Sequence, residues 1–159
     1  MVRVGLISDT HSTLHAEAVD ILIAEKVAAI LHAGDICKPE ILYELGAIAP
    51  VTAVLGNNDY RMPGMDLAAV ARVTIGGVRF LVIHDFLDLG PIPDNVDVVV
   101  CGHTHRPRNE WHGTTLVANP GSASQRRRQP ERTVGILDIA DDGSVATLRI
   151  IPLHDPQGS

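Results

Sequence analysis

Aromatic residues are scarce in this chain of 159 residues: two Phe, two Tyr and Trp111 make up 3% of it. A core must therefore be built from Val, Ile, Leu and Ala. Cysteine is scarcer. Cys37 and Cys101 form neither a disulfide framework nor a zinc-finger spacing, and two such thiols fit a reducing compartment. Basic charge is also short: 13 Lys+Arg against 19 Asp+Glu leave a net charge of −6. That argues against nucleic acid or an anionic membrane as a partner, since either would call for a basic footprint. No run approaches the roughly 18 apolar residues of a membrane span. The segment Met1–Asp9 turns polar too early for a signal peptide. A cytoplasmic protein is expected.

What is present reads as one domain. The chain is 45% hydrophobic and 20% charged, too apolar for disorder. Its length suits a single domain over 1–155, with 156–159 as a frayed tail. The pattern predicts strands over Val2–Ile7, Ala28–Leu31 and Val51–Leu55. Between them, Leu14, Ala18, Ile21 and Leu22 predict one helix, capped by Ser12 or Thr13. Ile41, Leu42, Leu45 and Ile48 predict another, with Pro39 in its first turn. This alternation implies a parallel sheet with right-handed crossovers. The remainder reads as mostly β: a hairpin of Val70–Ile75 and Val78–Ile83 about Gly76-Gly77, then Val96–Val100, Thr114–Ala118, Arg132–Ile139 and Ser144–Ile151.

Metal-capable residues stand repeatedly at the ends of these apolar runs. Asp9 and His11 follow the first, Asp35 the second and Asn57 the third. His84 follows Phe80–Ile83, and His103 and His105 follow Val98–Gly102. Open α/β sheets bind ligands beyond the carboxyl ends of their strands, so these residues are expected at one edge. Residues two apart on an extended chain share a side, which would pair Asp9 with His11 and His103 with His105. Gly34, Gly56 and Gly102 beside them permit sharp turns. Imidazole with carboxylate and amide oxygens suits Mn²⁺, Fe²⁺, Ni²⁺ or Zn²⁺. Seven donors exceed what one tetrahedral ion needs, and predict two.

Asp9-Thr10-His11, Gly34-Asp35, Gly56-Asn57-Asn58-Asp59, His84 and Gly102-His103-Thr104-His105 together resemble the ordered motifs of the calcineurin-like metallophosphoesterases. Asn119-Pro120-Gly121-Ser122 resembles a further motif of their small, cap-less phosphodiesterase branch, the YfcE type. The resemblance implies a four-layer α-β-β-α sandwich of two mixed sheets flanked by helices. It implies two divalent ions per chain, manganese first, with nickel, iron(II) or zinc as alternatives. Asp9, His11 and His105 would hold one ion, Asn57, His84 and His103 the other, and Asp35 would bridge them. The implied activity is hydrolysis of a small phosphodiester by in-line attack of a hydroxide held between the ions, with Asp35, Asn57, Asn58 and His103 as catalytic residues. Two positions depart from the pattern. Asn58 stands where the family often has a histidine that assists the leaving group, and Asp85 where glycine usually follows the metal-binding histidine.

The other candidates are weaker. His32 lies inside a strand and reads as core or as support for the site. His15, His112 and His154 read as surface residues. Arg126-Arg127-Arg128 reads first as a solvated loop, with Arg126, and also Asn58, as candidate substrate contacts near the site mouth. A retromer subunit uses a similar fold as a non-catalytic interaction platform. The ligand set degrades in such scaffolds and is complete here, which favours the enzyme. Association into a homo-oligomer is left open.

Overall fold

In the computed structural model, residues 1–59, 62, 66–125 and 131–154 are described. Ten strands form two five-stranded sheets. The first has the order β10-β9-β1-β2-β3, from β1 (Val2–Ile7), β2 (Ala29–His32), β3 (Val51–Ala53), β9 (Arg132–Ile139) and β10 (Val145–Leu153). β1, β2 and β3 run parallel, joined by α1 (Ala16–Ala24) and α2 (Pro39–Gly46), while β9 and β10 are antiparallel. The second sheet has the order β4-β5-β6-β8-β7, from β4 (Val70–Ile75), β5 (Val78–Ile83), β6 (Val98–Val100), β7 (Arg108–His112) and β8 (Thr115–Asn119). It too is mixed, with β5, β6 and β8 parallel between antiparallel edges.

The core is aliphatic and lies in three sheets of contact. Leu6, Leu31, Leu137 and Val4 meet Phe80, Val82, Val98 and Val100 between the two β-sheets. Ala18 and Leu22 of α1, with Ile41 and Leu45 of α2, cover the outer face of the first sheet against Ile30 and Ile136. The outer face of the second sheet, with Leu81, Val99 and Val117, is covered by Phe86, Leu89 and Ile92. Four layers are therefore present. The fourth is a thin one: a 3-10 turn at Phe86–Asp88 and its flanking loop in place of a helix. Among the described residues, no helix is long and apolar enough to cross a membrane.

Two local expectations need correction. The N-cap of α1 is His15, two to three residues later than the predicted caps, with no side-chain capping bond. Ser12 instead donates its backbone N–H to Ile36, and Thr13 donates to Thr10, so both belong to the loop before the helix. β7 was unpredicted. Its segment RNEWH is polar and largely exposed, and only its ladder with β8 makes it a strand.

A carboxylate and histidine cluster at the strand ends

β1, β2, β5 and β6 deliver their C-terminal loops to one end of the sandwich. There the structure brings Asp9, His11, Asp35, His84 and His105 together. Asp9 Oδ1 lies 3.4 Å from His105 Nε2, 3.7 Å from His11 Nε2 and 4.0 Å from His84 Nε2. Asp35 Oδ2 stands between His11 and His84, at 3.6 and 3.4 Å from their Nε2 atoms. Asn57 Oδ1 is 3.0 Å from His84 Nε2. His103 sits at the open side, its ring 5.1 Å from that of His84 and its Nε2 3.7 Å from Asp85 Oδ2.

The paired residues do not meet by lying two apart on an extended strand. Asp9, His11, Asp35, His103 and His105 have φ of 57°, 45°, 56°, 70° and 63°, the left-handed region. Non-glycine residues held there cost about 1–3 kcal/mol each, and the surrounding structure must impose it. Backbone bonds do so: Asp9 and His11 donate their N–H groups to Gly34 and Asp35. Close packing adds to it. Gly102 has room for no side chain, because a Cβ would run into the Ser8 hydroxyl. Gly34, at φ +102°, would drive a Cβ into Gly56 and His84.

Around this cluster runs a second set of polar contacts, most of them invisible as motifs. Ser8 donates its hydroxyl to Asp9 Oδ2 at 2.8 Å, and the His103 backbone N–H donates to the same oxygen. Asn58 donates to both oxygens of Asp35, from its backbone N and from Nδ2, each at 2.9 Å. The structure thus turns Asn58 toward Asp35. Asp59 accepts the N–H groups of Cys37 and Gly56, tying two site loops together. Asn119 donates to the Gly102 carbonyl, and Ser122 and Ser124 donate to the Asp9 carbonyl. His32 is fully buried. Gly34 N–H donates to its Nδ1, so Nε2 carries the proton toward Thr10 Oγ1.

Burial and the imidazoles act in opposite directions on the acids of this cluster. Burial raises the Asp9 pKa, but His105, His11, His84 and Ser8 outweigh it and hold the carboxyl well below the usual range. Burial likewise opposes ionisation of Asp35, yet His84 and Asn58 bring it down to about 2. His84 is pushed up despite burial, chiefly by Asp35 and Asp9. Cys37 is pushed up to about 11, by burial and then by the charges of Asp59, Asp35 and Asp9, so its thiol is no nucleophile.

The donors fit a divalent cation. His105 Nδ1 faces the Gln125 carbonyl at 3.0 Å, and His84 Nδ1 faces the Ala33 carbonyl at 2.7 Å. Each Nδ1 therefore carries the proton, and each Nε2 points a lone pair at carboxylate or amide oxygens. With the rings neutral, acceptors facing acceptors repel unless a cation lies between them; without a metal ion that cation is a proton, as the raised pKa of His84 reflects. Among the described residues, Asp9 Oδ1, His11 Nε2 and His105 Nε2 are buried with no hydrogen-bond partner. Two groups have ligand atoms close enough to share an ion: Asp9, His11 and His105, and Asp9, Asp35 and His84. Beside them opens a cavity of about 340 Å³, walled by Asn57, His84 and His103, by Asp85 and Asp88, and by apolar side chains. Arg126, Arg127 and Arg128 lie outside the described residues.

Comparison with known proteins places this architecture. The calcineurin-like phosphoesterase superfamily domain matches residues 2–142, and the chain belongs to that family. Among its relatives is a probable metallophosphoesterase of Methanocaldococcus jannaschii, 32% identical over 96% of this chain and 82% of its own. A solved archaeal phosphodiesterase superposes with a TM-score of 0.77 at 26% identity, covering 96% of this chain and all of that one. Vps29 of Entamoeba histolytica, solved as a complex with Zn²⁺, has a TM-score of 0.71 at 23% identity, over 95% of this chain and 99% of that one. This last likeness extends to the fold.

Proposed function

We propose that this chain is a metal-dependent phosphodiesterase with a binuclear centre. Asp9, His11 and His105 would hold one ion, Asn57, His84 and His103 the other, and Asp35 would serve both. The observation that carries the reading is the convergence of three buried, unpartnered donors, Asp9 Oδ1, His11 Nε2 and His105 Nε2, on carboxylates that stay ionised. An interaction scaffold has no need to bear that desolvation cost, which is several kcal/mol for an unmatched buried charge (about 3–5 by one-sided removal of a partner). Membership of the phosphoesterase family and the archaeal phosphodiesterase likeness support the substrate class.

Two divalent ions held by these residues would supply a nucleophile at neutral pH and would draw charge from the phosphoryl oxygens. The protein's own work is positioning. Asn58 holds both oxygens of Asp35, and the carbonyls of Ala33 and Gln125 fix the tautomers of His84 and His105. The 340 Å³ cavity beside His103 receives one arm of the diester. Position 58 carries asparagine, which has no proton to give a departing oxygen, so good leaving groups are favoured. The test is hydrolysis of an aryl phosphodiester and an aryl phosphomonoester side by side, with Mn²⁺ and with chelator, followed by a leaving-group series on wild type and Asn58→His. Diester turnover that requires metal and depends steeply on leaving-group pKa is expected. Equal or faster monoester turnover overturns the assignment.

A further inference from the structure

Three of the site histidines differ in what holds their rings. His84 and His105 each lean one nitrogen on a backbone carbonyl, from Ala33 and Gln125, which leaves the other for the cluster. Among the described residues no such carbonyl holds the His103 ring, and its side chain is 40% exposed. The acceptor beside it is the carboxylate of Asp85, with Oδ2 3.7 Å from Nε2. That carboxylate is itself anchored: Oδ1 accepts the Leu87 N–H at 3.1 Å and caps the 3-10 turn at Phe86–Asp88. One oxygen is thus committed to the turn, and the other is left facing the imidazole. A glycine, the usual residue here in the family pattern, would provide neither contact.

We propose that Asp85 is a positioning residue for the second ion. It keeps the proton of His103 on Nε2 and so presents Nδ1 to the ion, as Ala33 and Gln125 do in mirror fashion for Nε2 of the other two rings. The inference rests on the binuclear reading above. Partners of this kind behind a metal ligand typically change affinity by about 10–100-fold. They matter most where the ligand is least confined, and His103 is the open member of the set.

The test is calorimetric titration of metal-free protein with Mn²⁺ for wild type, Asp85→Asn and Asp85→Gly, with thermal melts of each in chelator. Asparagine keeps an oxygen for the Leu87 N–H and turns an amide donor, or at best a neutral acceptor, toward His103. It therefore separates the charge from the cap. Wild type is expected to take up two ions. In Asp85→Asn the second should bind about 10–100-fold more weakly, with first-ion affinity and the metal-free melt unchanged. Nitrogen-15 shifts of the His103 ring should move off the Nε2–H tautomer. In Asp85→Gly the second ion should weaken at least as much, with some loss of stability from the missing cap. Two ions bound with unchanged affinities by Asp85→Asn would overturn this inference alone. A wild-type chain binding fewer than two ions overturns it together with the binuclear reading.

Discussion

The two ends of β1 hold two buried-side polar clusters of opposite character. At its start, Asp138 accepts from Arg3, Arg149 and Thr147, while Arg149 also reaches both oxygens of Glu25 at 2.5 and 3.2 Å. Every acid there meets a guanidinium, and the network joins β1, β9, β10 and the C-terminal end of α1. At its finish, about 20 Å away at most, Asp9 and Asp35 face imidazoles and no Lys or Arg among the described contacts. The first cluster is complete as the chain folds. The second has acceptors aimed at acceptors and a left-handed backbone. Satisfied polarity marks structure, and converging unsatisfied polarity marks a place built for something else to bind.

The sharpest way to break this contrast is to exchange one acid for its amide at the site. Asp35→Asn is expected to lower kcat on the order of 10³-fold or more, beyond the 10–100-fold typical of an outer partner. It should be more severe than His11→Ala, because Asp35 Oδ2 lies between His11 and His84. The metal-free melt should shift by no more than about 2–4 °C, equivalent to roughly 1 kcal/mol for a chain of this size. Metal analysis alongside kinetics checks it. Retained activity with full metal content would remove Asp35 from its shared role.

His32 belongs structurally to the first kind of cluster although it lies beside the second, and pH exposes this. Burial brings its pKa from 6.5 down to about 4. The unfolded chain therefore binds the proton more tightly than the folded one. Stability is full above pH 6.5 and is lost as pH falls toward 4, by roughly 3 kcal/mol from this group. Denaturant titrations of metal-free protein between pH 7 and 4.5 should show that loss in wild type. His32→Leu should be weaker at pH 7 by about 1–3 kcal/mol, from the unmet Gly34 N–H, yet flatter with pH. Parallel curves would contradict a neutral buried imidazole.

These contrasts were unevenly legible in the sequence. The hairpin of β4 and β5 and the strand β9 have the bounds their apolar patterning implies, because burial on a sheet face is what that patterning records. β7 left no such trace, being a polar edge. The acids and histidines that converge here could be picked out as candidates because metal-capable residue types recur at strand ends. Their supports could not. Ala33 and Gln125 act through carbonyls that any residue possesses, and Ser8 or Ser124 becomes meaningful only when distant loops meet. Asn58 could be located but not aimed, since nothing in the chain order turns its amide onto Asp35.

The smallest expected effect comes from the other end of β1. Burial resists ionisation of Asp138, but Arg149, Thr147 and Arg3 bring its pKa below the ordinary 3.8. A carboxylate with a lowered folded pKa adds stability above its unfolded value, and that stability is lost as pH falls below about 3.8. Asp138→Asn keeps the shape and removes the charge, leaving Arg3 and Arg149 with Glu25 alone. A charge-assisted hydrogen bond is worth about 1.5–3 kcal/mol when buried and less when its donors are half-exposed, as Arg3 and Arg149 are. The expected cost is therefore about 1–2 kcal/mol at pH 7, shrinking below pH 4. Metal affinity and kcat/KM should stay at wild-type values. Denaturant midpoints across pH, with one metal titration, decide it. Were Asp138→Asn to weaken metal binding, the two ends of β1 would be mechanically coupled, and the division between a finished cluster and an unfinished one would fail.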